Sequence, residues 1–448
     1  MLDRILGSGS TRRVTLGGIT ALAAYVAGAG LTACSQFLIA RIVGAETFGV
    51  YSYVLAWVTV LAYFSALGFD IALLRFVSAY LASQAWGLLR GVIRYSERRV
   101  AITGSLITIV GMIAVTIPNT RISHELKDTF LAGFILVPVW ALLWIRSSIV
   151  RAFGGVLSAV VPDRMVRDGT LICIILLLSW GMKRDLNASL VMLATFSGTT
   201  IALILATLAA RHLHPREIDR VTLSYDIPAW RKTILPLMAI TATESMLNRC
   251  GVLVLGWVGL TKEAGIYALI FSISFLVALP RTAANTLLAP MISDLFVRKQ
   301  HHALQILTAR LALWTLCGAA LSALALSVIA DHFLAWFGHG YEAGVPALHI
   351  LLLGQVLAAS CGSQLSIMTM TGCERSAALL LLLSAIFNVL LSAVLVSQLG
   401  LVGAALSTTI TLVIWNIAMA AFIWRHMKLL PSPVFMLQFI LRTKGLPA

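Results

Sequence analysis

Twelve apolar stretches of about 20 residues, joined by short connections rich in arginine, constrain this chain more than any other feature. Each is long enough to cross a hydrocarbon core of about 30 Å as a helix. No water reaches that core, so a backbone crossing it must satisfy its own polar groups, and runs of this length without alternation do so as helices. They fall near residues 15–40, 48–69, 99–117, 129–150, 166–182 and 188–210, and then near 233–260, 264–290, 306–330, 344–370, 376–398 and 401–424. Hydrophobic residues make up 59% of the 448 and charged residues 11%, against about a quarter charged in a soluble domain. The expected fold is an all-α polytopic membrane protein with about 12 transmembrane helices in two pseudo-symmetric six-helix lobes.

A formal charge of +15 would suggest nucleic acid in a soluble protein, but here the cations sit between apolar spans, where they set orientation. Of 33 lysines and arginines, about 26 fall on the side of the two termini and about 6 opposite, which predicts both termini in the cytoplasm and no nucleic-acid partner. Arg249 alone lies mid-span. The run from Val14 exceeds a signal-peptide core and reads as a retained first span. The polar connection 213–232, with His214-Pro215 and Ile227-Pro228, divides an N-terminal lobe (1–212) from a C-terminal lobe (233–425). The tail 426–448 carries the apolar run Val434–Leu441, too short to span easily and suited to the membrane interface. Six scattered cysteines without a CxxC pair, and His212, His214, His301 and His302 in polar connections, suggest no metal site. Asn187-Ala-Ser189 fits a glycosylation sequon that common residues match by chance.

Span 7, Ile234 to Leu260, carries Glu244, Asn248 and Arg249 near its middle. An ionisable group at that depth costs at least about 2.5–3.5 kcal/mol and normally faces protein or a wet cavity. Arg249 is too far from either end to snorkel, so it is a candidate substrate contact, or else an ion-pair partner of Glu244. Glu244 and Asn248, four residues apart, share a face with Thr241. Glu244 is the candidate ion-coupling group. Gln36 and Arg41 in span 1 join Arg249 and Asn248 as candidate substrate contacts, and Asp70 with Arg75 as a gate or lobe salt bridge; interface anchoring is the plainer role for Arg41 and Arg75. The lone amides Asn285, Gln355, Gln364, Asn388 and Asn416 suit interhelical hydrogen bonds or substrate contact, and Gly28, Gly30, Gly251 and Gly256 suit close helix packing. Pro236 and Pro280 suit bends in spans 7 and 8.

The halves echo each other. Span 1 leads to Gly44-Ala-Glu-Thr-Phe-Gly49-Val-Tyr51, and span 7 to Gly259-Leu-Thr-Lys-Glu-Ala-Gly265-Ile-Tyr267. Six spans per half give both the same orientation, a parallel repeat. Arg41-Ile-Val-Gly44-x3-Phe48-Gly-Val-Tyr51, Leu67-Gly68-x6-Arg75-Phe76, Ala264-Gly265-Ile266-Tyr267, Pro290-Met-Ile-Ser293, Phe337-Gly338-x2-Tyr341 and Gly400-x2-Gly403-Ala404 together resemble the polysaccharide transporters, the O-antigen and lipid-linked oligosaccharide flippases of the multidrug/oligosaccharidyl-lipid/polysaccharide exporter superfamily. That resemblance implies a two-lobed, rocking transporter of the bacterial inner membrane. Its substrate would be an undecaprenyl-diphosphate-linked oligosaccharide for O-antigen, capsule or exopolysaccharide. The bilayer and other polysaccharide assembly proteins would be its partners. No cofactor is implied beyond a proton or sodium gradient.

Two other functions compete. A drug or organic-cation antiporter of the same superfamily would want acids in its groove, whereas Glu244 is balanced by Arg249 and span 1 has no acid. A membrane glycosyltransferase, polymerase or ligase would want paired carboxylates or a metal cluster on an outer loop, where Glu125, Asp128, Asp185, Glu263, Asp331 and Glu342 stand apart. The expectation is a protein that is not an enzyme.

Overall fold

The structure is a computed structural model that describes residues 8–117, 123–181, 186–215, 217–218, 221–282, 291–292, 295–296, 298 and 300–429, with backbone alone for 8–22 and 301. Asn285, Pro290 and the tail from residue 430, with its interfacial run 434–441, fall outside the described residues. Those described form helices and connections, with no strand among them. In chain order the helices are α1 (Ser8–Ala66), α2 (Phe69–Ala82), α3 (Trp86–Thr116), α4 (His124–Ala152), α5 (Val156–Val160), α6 (Arg167–Leu176), α7 (Ala188–Leu213), α8 (Ile227–Trp257), α9 (Thr261–Leu276), α10 (His301–Trp336), α11 (Val345–Cys361), α12 (Gln364–Met370) and α13 (Glu374–Met427). Seven helical stretches are long and apolar enough to cross a membrane by length and composition, so the chain is a multi-pass membrane protein.

Two of these stretches hold two spans each. α1 breaks at Gly44, with φ 78°, and α13 at Gly400, with φ 55°. A side chain disfavours that left-handed backbone, so glycine at each break lets one apolar run end and the next begin. The spans expected at 15–40 and 48–69, and at 376–398 and 401–424, meet at these glycines. The span expected at 344–370 is instead two helices, because Gly362 at φ 86° separates α11 from α12. Likewise α9 stops at Leu276. The N–H groups of Val277 and Ala278 turn back to the carbonyls of Ser274 and Phe275, at 3.1 and 2.9 Å, just before Pro280, which has no N–H to give. Span 5 begins earlier than its apolar run: α5 passes through a π-helical stretch, Val161–Val166, into α6, and a second follows at Leu177–Gly181.

By internal contact the chain forms two compact units, residues 1–43 with 54–242, and residues 44–53 with 243–448. α1 and α8 each contribute to both. In the first unit α4 packs on α2, α3 and α7. Phe69, Leu73, Leu89, Ile145 and Trp230 form its buried core at one end, where the Trp230 indole N–H donates to Tyr80 Oη at 3.0 Å. Gly68, at φ 77°, turns the chain from α1 into α2, and a Cβ there would lie 2.6 Å from the Ile234 carbonyl oxygen. Ser123 and Asn187 cap α4 and α7 by accepting from the N–H of Leu126 and Leu190.

In the second unit α11 packs on α9, α10 and α13. The two Gly-x-Tyr segments lie against each other there. A Cβ on Gly265 would sit 2.6 Å from Gly49 Cα, and one on Gly49 would sit 2.0 Å from the Thr261 carbonyl oxygen. Tyr51 and Tyr267 are both fully enclosed. Tyr267 lies against Gly251, Tyr53 against Gly256, and the Tyr267 hydroxyl shares a 2.8 Å hydrogen bond with Thr408.

Candidate functional site

A cavity of about 230 Å³ lies inside the second unit. α8 contributes Glu244, Leu247 and Asn248, one face of a helix as residues three and four apart must be. The stretch after the α9 break contributes Arg281 and Thr282, and the α11–α12 break contributes Gly362 and Ser363. Gln355 comes from α11, Gln364 from α12, and Asn388, Thr408, Thr411 and Asn416 from α13. Four of the lone amides in the sequence therefore converge on one space. Three of them make hydrogen bonds that are local along the chain, to residues three or four positions away. Asn416 donates to the Leu412 carbonyl at 2.7 Å, Gln364 to the Cys361 carbonyl at 2.6 Å, and Asn388 accepts from Ser392 at 3.1 Å.

Thr411 Oγ1 and Asn416 Oδ1 are buried without a hydrogen-bond partner. A buried polar oxygen left unsatisfied costs about 1–3 kcal/mol, so the cavity has unmet capacity for a ligand that donates hydrogen bonds or carries positive charge. One carboxylate and one guanidinium, Glu244 and Arg281, line the same space, and they form no direct ion pair among the described residues. Phe271, Phe275 and Trp415 supply apolar wall. Such a site can bind a polar or ionic group within an apolar bundle and can couple it to the charge state of Glu244.

The other candidates are dispersed. Arg249 is half-buried and does not line this cavity; five residues from Glu244, it points about 140° away around α8. Gln36 is half-buried and Arg41 exposed, and neither lines it. Asp70 lines a second cavity, in the first unit. Its carboxylate lies near the backbone N–H groups of Asp70 and Ile71 at the start of α2 and near the Arg151 guanidinium. Arg75 is exposed, and no ion pair joins it to Asp70 among the described residues.

Two features escaped the sequence reading. In sequence Arg281 is one of the many inner-side cations, and only its neighbour Pro280 hints that the helix breaks and brings it to the cavity. Asp168 stands in no motif. It is 3% exposed, accepts from Arg167 Nε and Nη2 at 2.9 and 3.1 Å and from the Thr32 hydroxyl, while Arg167 also lies over the Trp140 ring. The adjacent Arg167-Asp168 pair at the start of an apolar span is the available signal.

The sequence profile of a family described as "Polysaccharide biosynthesis protein" matches residues 14–296. No curated protein matches the sequence. Solved structures match in fold. The inward-facing conformation of a multidrug resistance MATE family transporter of the MOP superfamily, 13% identical, is similar over 90% of this chain and 94% of that one, with a TM-score of 0.73. The outward-facing conformation of a multidrug resistance MATE family transporter of the MOP superfamily, 14% identical, is similar over 91% and 95%, with a TM-score of 0.65. At these identities the likeness carries the fold and not the substrate.

Proposed function

This chain belongs to the polysaccharide biosynthesis protein family of the MOP superfamily of transporters, and from that membership we propose that it is a lipid-linked oligosaccharide flippase. It moves an undecaprenyl-diphosphate-linked oligosaccharide across the bacterial inner membrane by alternating access, for O-antigen, capsule or exopolysaccharide. Both termini are cytoplasmic, and the lobes are residues 1–212 and 233–425, with linker 213–232 and tail 426–448. The family match over residues 14–296 is the observation that carries this reading. Its partners are the lipid-linked oligosaccharide, the bilayer and other polysaccharide assembly proteins.

Within that function Arg249, Asn248, Arg41 and Gln36 contact the headgroup, where a guanidinium fork suits phosphate oxygens. Asp70 and Arg75 act at a gate. Glu244 couples transport to a proton or sodium gradient, a role supported by its place in a cavity with unsatisfied oxygens on Thr411 and Asn416.

Purified protein in liposomes moves a fluorescent lipid-linked oligosaccharide to the opposite leaflet. Dye efflux without lipid translocation would instead establish the antiporter. In the same assay Arg249→Ala slows flipping about tenfold, the effect of one charge-assisted hydrogen bond, and an unchanged rate removes Arg249 from the headgroup site. Glu244→Gln makes flipping indifferent to an imposed proton or sodium gradient; a gradient response equal to wild type assigns Glu244 a structural role.

A further inference from the structure

The first unit holds its own cavity, of about 310 Å³, at the lower end of the roughly 300–1,000 Å³ range of small-molecule sites. We propose that it is a binding site for an uncharged sugar ring. Three buried oxygens on its wall, Asp70 Oδ1, Ser147 Oγ and Asp163 Oδ1, have no hydrogen-bond partner. Ser147 is only 3% exposed, so bulk water does not serve it. The nearest cation to Asp163 Oδ1 is Arg167 Nη1 at 3.7 Å, beyond hydrogen-bond reach. Buried carboxylate oxygens in this state call for O–H or N–H donors or for a cation.

Charge decides between these. Asp70 and Asp163 face the same space as Arg151 and Arg164, so the wall is formally neutral. A metal ion would meet two guanidinium groups, and a phosphate would meet two carboxylates. A neutral polyol suffers neither repulsion: its hydroxyls donate to the carboxylates and accept from the guanidinium groups. The remaining wall is aromatic. Tyr63 and Trp144 pack with ring centroids 4.3 Å apart, and Arg164 lies over the Tyr25 ring at 5.0 Å. The C–H face of a pyranose packs on such rings while its edge carries the hydroxyls.

The local fold builds this arrangement. The π-helical stretch Val161–Val166 widens the turn that carries Asp163 and Arg164, and wide turns of that kind recur at functional sites. Tyr25, Ile71 and Leu74 on the rim are exposed, which leaves the cavity an entrance. The proposal rests on the flippase reading only for the source of the sugar, the headgroup of the lipid-linked substrate.

Saturation-transfer NMR on the full chain in nanodiscs, with glucose, galactose, mannose, N-acetylglucosamine and rhamnose as probes, tests it without transport. At least one neutral sugar gives a saturable signal. Ser147→Ala and Trp144→Ala weaken its binding about tenfold or more, whereas Trp144→Phe, which keeps a ring, stays within about threefold of wild type. The proposal is overturned if none of the five sugars binds, if binding survives both alanine variants, or if only sodium ions or inorganic pyrophosphate bind there. Sugar binding without lipid flipping refutes the flippase and leaves the pocket; flipping without sugar binding does the reverse.

Discussion

Gly49→Ala and Gly265→Ala each lower the stability of the folded protein by about 3 kcal/mol or more, while Gly30→Ala leaves it unchanged or slightly raised. A Cβ on Gly49 would stand 2.0 Å from the Thr261 carbonyl oxygen and 2.8 Å from its carbon. A Cβ on Gly265 would stand 2.6 Å from both the nitrogen and the Cα of Gly49 and 2.8 Å from the Ala45 carbonyl oxygen. All of these are backbone atoms, so no rotamer change relieves the overlap; the segments around Gly49 and Gly265 must part. Parting them would loosen the packing around Tyr51 and Tyr267, which are now fully enclosed. Interior overpacking costs about 1–3 kcal/mol and occasionally more, and a clash confined to backbone belongs at the upper end. Gly30 has nothing within 4 Å of a built Cβ, so alanine there adds only helix propensity. Thermal unfolding in detergent reads the difference, and a wild-type midpoint for Gly49→Ala would refute the close contact.

The same glycines mark how far the sequence could be read. Both Gly-x-Tyr segments were visible as an internal echo, because a repeat leaves its trace in spacing. That they pack on each other was not, since contact between residues 216 positions apart has no local signature. Gly28, Gly251 and Gly256 do meet a close neighbour, Arg164, Tyr267 and Tyr53 in turn, as small residues in spans suggest; Gly30 does not. The spans were legible because an apolar run of 20 residues has few other fates. The broken helices were less so: Gly362 is one glycine among 33, and only its φ of 86° separates it from glycines that sit inside helices. The cavity was legible in parts. Glu244 and Asn248 lie four apart on one helix, a relation fixed by the helical period, whereas Gln355, Gln364, Asn388 and Asn416 come from three helices whose mutual packing no periodicity encodes.

On the flippase reading, Arg281→Gln slows lipid-linked oligosaccharide flipping by about 100-fold at normal protein yield, a loss of roughly 3 kcal/mol and the upper range for a charged hydrogen-bonding group. Arg281 lines the cavity with Glu244, the four amides and the unsatisfied oxygens of Thr411 and Asn416. With Glu244 it leaves the cavity wall formally neutral, and Arg281→Gln leaves that wall with one unbalanced carboxylate. On the reading that Glu244 couples transport, a changed charge balance on this wall stalls the cycle. Arg281→Lys keeps the charge but loses the planar fork, so its loss is about tenfold. The double variant Glu244→Gln with Arg281→Gln separates a charge-balance role from a direct one. If the two residues act through each other, the double variant is no slower than Arg281→Gln alone; independent roles would make the losses multiply. A wild-type flipping rate in Arg281→Gln would remove this cavity from the transport cycle, whatever the double variant does.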